Sequence, residues 1–187
     1  EHYWTPEYTL SFVLPPQFSP PGNGWHYNST AYYLLGMIIK KATNTDKVSE
    51  KLRELILEPL NLNSTYIGIE DSINGEWAHG WMDYDNDGFI EDTYLISPIG
   101  IYSAKWTAAG LVSTSKDLAG LIFGLFNQQI LTNSQMQEFL TFVKTPMSNI
   151  DYGLGIQRVR ILNKVIYGHP GNGHGYNAAT TYYPFRN

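Results

Sequence analysis

Near residue 145 the apolar pattern of this chain changes period, and that change limits the folds open to it. Upstream, apolar residues recur at helical spacing. Leu34, Leu35, Ile38, Ile39 and Ala42 follow Ser29 or Thr30 as N-cap, with Lys40 and Lys41 in the last turn and Asn44 beyond them, so the pattern predicts a helix with a buried face. Val48, Leu52, Leu55 and Ile56 predict a second helix after Asp46, stopped at EPLNLNST. GLVSTSKDLAGLIFGLF predicts a third behind a Thr114-to-Asp117 capping box, and TNSQMQEFLTFV a fourth. Downstream, YGLGIQRVRI, KVIYGH and GYNAATTYY are short, β-branched or aromatic, and separated by Asn- and Gly-bearing turns, which predicts antiparallel strands. Helices first and strands last is an α+β arrangement. One domain is expected over 1–187, with 1–145 mainly helices and loops and 150–187 strands. Residues 1–24 read as irregular, because PPQFSPPGNG can continue neither a helix nor a central strand, and 70–105 read as loop-rich around DYDNDG.

Composition narrows the functional classes. A hydrophobic share of 43% over 187 residues suffices for a real core. The formal charge of -5, with no Lys/Arg-rich run, argues against nucleic acid or an anionic membrane as partner. Without cysteine there is no disulfide, cysteine nucleophile or thiolate metal site. No apolar run reaches the roughly eighteen residues of a membrane span, and no basic stretch followed by a short apolar one opens the sequence, so a soluble polypeptide is expected.

Four groups of residues invite a chemical reading. Tyr27 and Ser29 stand two apart ahead of the first predicted helix; the pair is either a packing aromatic beside an N-cap or part of an acid/base apparatus. Ser113-Thr114-Ser115-Lys116 has the Ser-x-x-Lys spacing of an activated nucleophile, but it coincides with a helix start, where these residues act as caps. Asp83, Asp85, Asp87, Gly88 and Ile90 match the first eight places of a calcium loop and Glu91 fills the ninth, yet Tyr94 stands where the bidentate Glu belongs. A solvated acidic turn is the reading, with partial calcium coordination as the alternative. His79 has no paired ligand spacing and reads as structural.

The stretches PGNGWHYNSTAYYLLGMIIKKAT, LILEPLNLNST, AAGLVSTSKDLAGL, YGLG and YGHPGNGHGYNA occur in the order and approximate spacing of the serine β-lactamase-like hydrolases. The chain resembles the branch holding class C β-lactamases, D-alanyl-D-alanine carboxypeptidases, D-amino-acid peptidases and related esterases. The resemblance implies a β-lactamase/transpeptidase-like fold with a helical lobe and part of an antiparallel sheet. It implies a site of three elements: a Ser-x-x-Lys nucleophile, a Tyr-x-Asn loop and a Lys- or His-x-Gly strand. The second aligns on Tyr27, with Ser29 in place of the usual Asn, so Tyr27 is expected to be the proton shuttle and Ser29 both cap and site residue. The third aligns on His169-Pro170-Gly171: His169 would orient or protonate substrate groups, Gly171 would allow close approach, and the Asn172 N–H would serve the oxyanion hole. Pro170 replaces the usual Thr or Ser, which removes a hydroxyl for substrate carboxylates.

Taken with the residues, the resemblance implies an internal piece of a serine hydrolase that uses no cofactor and acts on a small molecule or peptide through an acyl-enzyme. The nucleophile would lie upstream, in a missing portion of the same protein, and family resemblance implies a secreted or periplasmic setting. The rival reading is a non-catalytic peptide- or ligand-binding module on the same fold, with a calcium-stapled loop.

Overall fold

A computed structural model describes residues 2–14, 20, 22–93 and 98–184. In chain order these form α1 (Pro6–Leu10), α2 (Thr30–Thr43), α3 (Val48–Leu52) running into a π turn (Arg53–Leu57), β1 (Tyr66–Ile67), β2 (Trp81–Met82), β3 (Glu91–Asp92), α4 (Pro98–Ala109) and β4 (Leu111–Val112). Then come α5 (Ser115–Phe126), α6 (Asn133–Phe139), β5 (Val143–Lys144), β6 (Ile150–Tyr152), β7 (Gln157–Ile161), β8 (Lys164–Gly173) and β9 (Tyr176–Tyr182). The last five strands form one antiparallel sheet in sequence order; β1 pairs with β4 and β2 with β3. Most of the Pro/Gly-dense loop, residues 15–19 and 21, lies outside the described residues, as does Tyr94.

The helical part is built on α2 and α4. Tyr33, Val48, Ile67 and Trp106 form its buried centre, with Leu10, Met37, Leu52, Ile69 and Ala108 against them. Gly36 lets the two helices touch: a Cβ there would lie 2.6 Å from Thr107 Oγ1 and 2.8 Å from the Trp106 ring. Thr107 Oγ1 donates to the Tyr32 carbonyl at 2.8 Å, and the Tyr33 hydroxyl donates to the Ala104 carbonyl. Trp106 carries a non-helical backbone (φ 33°, ψ -122°) that kinks α4, and its Nε1 donates to Glu70 at 2.6 Å. Glu70 also accepts from the Ser49 N–H at 2.6 Å. The sheet joins this body through α5, where Phe126 stacks on Tyr182 at 4.0 Å and meets Tyr167 at 5.4 Å.

Several expectations are corrected. The stripe of α2 predicted to be buried is open: Leu34 is 47% and Ile38 59% exposed, while Tyr33 and Gly36 face the core. The helix is apolar almost all round, so periodicity did not distinguish its two sides. After Leu52 the backbone bonds lengthen to i→i+5, as in Glu58 N–H to Arg53 O, which turns Leu57 inward and leaves Leu55 exposed. Thr114 does cap α5, accepting from the Asp117 N–H at 3.2 Å, but Asp117 does not return the bond. Its carboxylate is buried and accepts from Ser64 N–H at 2.8 Å and Thr65 Oγ1 at 2.9 Å. The fourth helix ends at Phe139 and Val143 opens the sheet instead. Helices α1 and α4 fall where loops were expected.

The chain exposes 12737 Å² of surface. A self-contained fold of 21.2 kDa exposes about 9,000 Å². Much of the excess is apolar, on α2 and at Leu55, Phe123 and Leu154.

Candidate active site

Strand β8 is ten residues long and β7 only five. Their pairing ends at Gln157↔Gly168, so from His169 to Gly173 the strand is paired with β9 alone and its other edge carries no strand among the described residues. The groups on that edge follow from the register. The β7–β8 turn joins Ile161 to Lys164, with Leu162 at φ 54°, and the β8–β9 turn joins Gly173 to Tyr176, with His174 at φ 44° and Gly175 at φ 81°. These are tight hairpins whose flanking residues close the hydrogen-bonded pair. Alternation then turns Gly173, Gly171 and His169 toward β9, and Asn172, Pro170 and Gly168 toward the β7 side. Beyond Gly168 that side is open, so the Asn172 N–H and C=O point out of the sheet at the free edge. Pro170, which lacks an N–H, sits where none is used in the sheet.

His169, at the start of this stretch, has both ring nitrogens engaged. Nε2 lies 2.9 Å from the Tyr152 hydroxyl and Nδ1 2.6 Å from the Pro170 carbonyl oxygen. A carbonyl can only accept, so Nδ1 carries the hydrogen and Nε2 accepts from Tyr152. Burial, and then the neighbouring Tyr32 hydroxyl, push the Tyr152 phenol well above its ordinary range, which keeps it a donor. His169 therefore reaches a substrate only by exchanging one of these bonds.

Tyr27 stacks on the His169 ring at 5.9 Å and 25°, meets Tyr152 edge-on at 5.9 Å, and is half exposed. Trp25 packs on Tyr152 at 5.4 Å and lies 6.5 Å from Tyr27. Four aromatic or imidazole rings thus meet where the open edge begins, brought together from the loop before α2, the end of β6 and the middle of β8. Gly171 and Asn172 are exposed on the same strand, and Asn172 Nδ2 donates to Asn177 Oδ1 at 2.8 Å. Ser29 is exposed and makes no side-chain cap bond; that role falls to Asn28, whose Oδ1 accepts from the Ala31 N–H at 2.9 Å. Ser29 as a cap is corrected accordingly.

Elsewhere, Ser113 Oγ lies 2.8 Å from Thr65 Oγ1, and no hydrogen bond joins it to Lys116 among the described residues. Asp83, Asp85 and Asp87 bring carboxylate oxygens within 4.8 Å of one another. Asp83 accepts from the Asp87 and Gly88 N–H groups at 3.0 Å, and Asp87 from Phe89 at 2.9 Å, so the turn is closed by its own backbone. His79 bonds Asp92 at 2.5 Å and helps close the β2–β3 hairpin. Tyr152, within YGLG, is a site residue that the sequence pattern left without a role; a tyrosine ending a strand carries no local signal of a partner seventeen residues away.

A family model described as Beta-lactamase matches residues 10–187. A D-stereospecific amidohydrolase from Streptomyces sp. is similar at 25% identity and TM-score 0.85, over 97% of this chain and 53% of its own. A D-amino acid amidase from Ochrobactrum anthropi SV3 is similar at 25% identity and TM-score 0.78, over 95% of this chain and 52% of its own. A penicillin binding protein from Bacillus halodurans, at 20% identity and TM-score 0.82, shares the α+β, β-lactamase/transpeptidase-like fold over 98% of this chain and 56% of its own. The chain spans about half the length of these solved structures. With the match running from residue 10 to residue 187, the chain belongs to the beta-lactamase family.

Proposed function

We propose that this chain supplies the proton-shuttling tyrosine and the oxyanion-binding strand of a serine hydrolase that works through an acyl-enzyme, with the nucleophilic serine and its lysine on another segment of the same protein. The observation that carries this reading is the meeting of Tyr27, Tyr152 and His169 on the strand whose free edge, three residues further on, presents the outward Asn172 N–H. In the reaction a serine Oγ attacks an amide or ester carbonyl carbon while the Tyr27 oxygen accepts its proton. A tyrosine can do so near neutral pH only when adjacent positive charge lowers its pKa, the role of the family's motif lysine. The Asn172 N–H donates to the developing oxyanion. Tyr27 returns the proton to the leaving group, and water then cleaves the acyl-enzyme by the reverse path. His169, its tautomer held by Tyr152 and Pro170, presents a fixed ring against which Tyr27 is stacked.

The excess of exposed surface supports a covering segment beyond these residues. So does the engagement of Ser113 with Thr65, which argues against the only Ser-x-x-Lys of this sequence as nucleophile. The amidohydrolase and amidase among the similar structures favour an amide of a D-configured substrate.

Fluorophosphonate labelling of the full-length protein, mapped by mass spectrometry, tests the proposal. The adduct is expected on a serine outside residues 1–187, and Tyr27→Phe should slow labelling by roughly two to four orders of magnitude while melting is unchanged. An adduct on Ser113, or wild-type labelling by Tyr27→Phe, would overturn it. A folded full-length protein that is never labelled would favour the binding-module reading.

A further inference from the structure

Strand alternation puts the side-chain directions of His169, Gly171 and Gly173 on one face of β8. The two glycines leave a bare strip on that face, and its far end is occupied by Lys105. A Cβ built on Gly173 would lie 2.1 Å from Lys105 Nζ, whereas one on Gly171 would meet only Ala178 at 3.8 Å. The amine therefore rests on the strand itself, roughly 13 Å from His169 at 3.3 Å per residue, and beside the residue whose N–H points from the free edge.

Lys105 projects from α4 one residue before the Trp106 kink. It is partly buried, and among the described residues it has no hydrogen bond and no ion pair. Of the carboxylates of the β2–β3 hairpin, Asp83, Asp85, Asp87, Glu91 and Asp92, none makes an ion pair with it, and Asp92 is bonded to His79. Burial draws the Lys105 pKa below its ordinary value. His174, in the adjoining turn, is drawn down by burial and then by the charge of Lys105, so it does not compete as a cation. Tyr84 packs on His174 at 6.0 Å, and the Tyr176 hydroxyl is committed to the Ala78 carbonyl at 2.9 Å. The corner thus holds one ammonium, partly removed from water, with no anion opposite it among the described residues.

A cation in that state is costly until an anion meets it, and a carboxylate does so through a charge-assisted hydrogen bond. We infer that Lys105 is a specificity residue that takes a free carboxylate on the acyl portion of the substrate, close to the scissile carbonyl. The inference rests on the acyl-transfer reading above. A carbonyl at the Asn172 N–H and a carboxylate on Lys105 are one residue apart along β8, a span that a succinyl or glutaryl group bridges. The same amine repels a substrate whose acyl end is an ammonium, which separates this site from one built for free amino-acid amides.

The test compares hydrolysis by the full-length protein of three matched aryl esters: glutaryl, butyryl and 4-aminobutyryl. Wild type is expected to favour glutaryl over butyryl in kcat/KM by on the order of tenfold to a hundredfold, as a hydrogen bond to a charged group confers. Lys105→Met should erase that ratio, and Lys105→Glu should turn the preference toward 4-aminobutyryl. Gly173→Ala, which displaces the amine without removing its charge, should lower the glutaryl rate selectively. An unchanged ratio in Lys105→Met would overturn the inference. If no ester is cleaved by any variant, the acyl-transfer reading fails on its own, and saturation-transfer NMR with glutarate and glutaramide decides the anion site separately. A glutarate signal present in wild type and absent in Lys105→Met supports the site; no glutarate signal in wild type ends it.

Discussion

Replacing Tyr152 with Phe removes one oxygen and leaves the rest of the ring cluster in place, which makes it a sharp probe of the site. The ring contacts to Trp25 at 5.4 Å, Tyr27 at 5.9 Å and His169 at 5.7 Å survive. The change deletes the 2.9 Å hydrogen bond to His169 Nε2, within a residue that is itself buried. Losing a neutral hydrogen bond and stranding a part-buried acceptor together cost about 1–3 kcal/mol. For a chain of this size that is a fall of roughly 2–12 °C in melting temperature. The more telling readout is 15N NMR of the His169 imidazole. In the wild type Nδ1 should show the signature of a protonated nitrogen and Nε2 that of an unprotonated nitrogen shielded by a donor. In Tyr152→Phe the Nε2 signal should move toward that of a free lone pair, while Nδ1, still facing the Pro170 carbonyl, keeps its proton. An Nε2 signal identical in the two proteins would refute the argument that Tyr152 sets the histidine.

The buried Asp151 carboxylate accepts from Arg158 at 2.6 Å and from Arg160, with Lys144 at 3.1 Å, and these cations hold its pKa far below the usual carboxylate range. Asp151→Asn should lower stability in denaturant unfolding at pH 7, because it leaves the two arginines facing each other without their shared carboxylate. A folded pKa below the unfolded one means this stabilisation is present above pH ~3.9 and is lost as pH falls toward the folded value, so melting of the wild type should drop below pH ~4 and the variant should lack that part of the drop. Asn28→Ala should destabilise by about 1 kcal/mol and Ser29→Ala hardly at all, by thermal unfolding; equal effects would return the cap to Ser29. The acidic turn, closed by its own N–H groups and with Tyr94 at the twelfth place, should leave the melting temperature unchanged between millimolar calcium and chelator; a rise of several degrees would establish a metal site.

Much of the architecture could be read in advance because it is local. The α5 cap at Thr114, the Asn44 stop of α2 at φ 53° and the Asn- and Gly-bearing hairpins are decided within a few residues. Helix α4 was invisible because apolar residues occupy all its sides and Trp106 breaks its backbone with a φ of 33°, held by contacts to Glu70 and Gly36 far away in sequence. In the candidate site, the motifs name Tyr27 and His169, whose rings the fold stacks together. They do not name Tyr152, since its importance is one tertiary hydrogen bond, nor Lys105, since it sits on the helix that went unseen.

The overshoot of β8 past β7 makes the direction of the Asn172 N–H a matter of parity. Asn172 presents its N–H outward because it is an even number of residues from Gly168, the last position paired with β7. The opposite hairpin gives the same answer independently, since Asn172 is one residue inside the Gly173↔Tyr176 closing pair. One residue inserted between Gly168 and Asn172 would put the two hairpins out of phase, so that β8 could keep both only by bulging, whereas two would restore the agreement. The geometry therefore favours changes of length in steps of two, even though the exposed glycines and proline of this segment look like freely variable loop. A change that lost the parity would leave the rings of Tyr27 and His169 in contact and move only the outward N–H further along the strand.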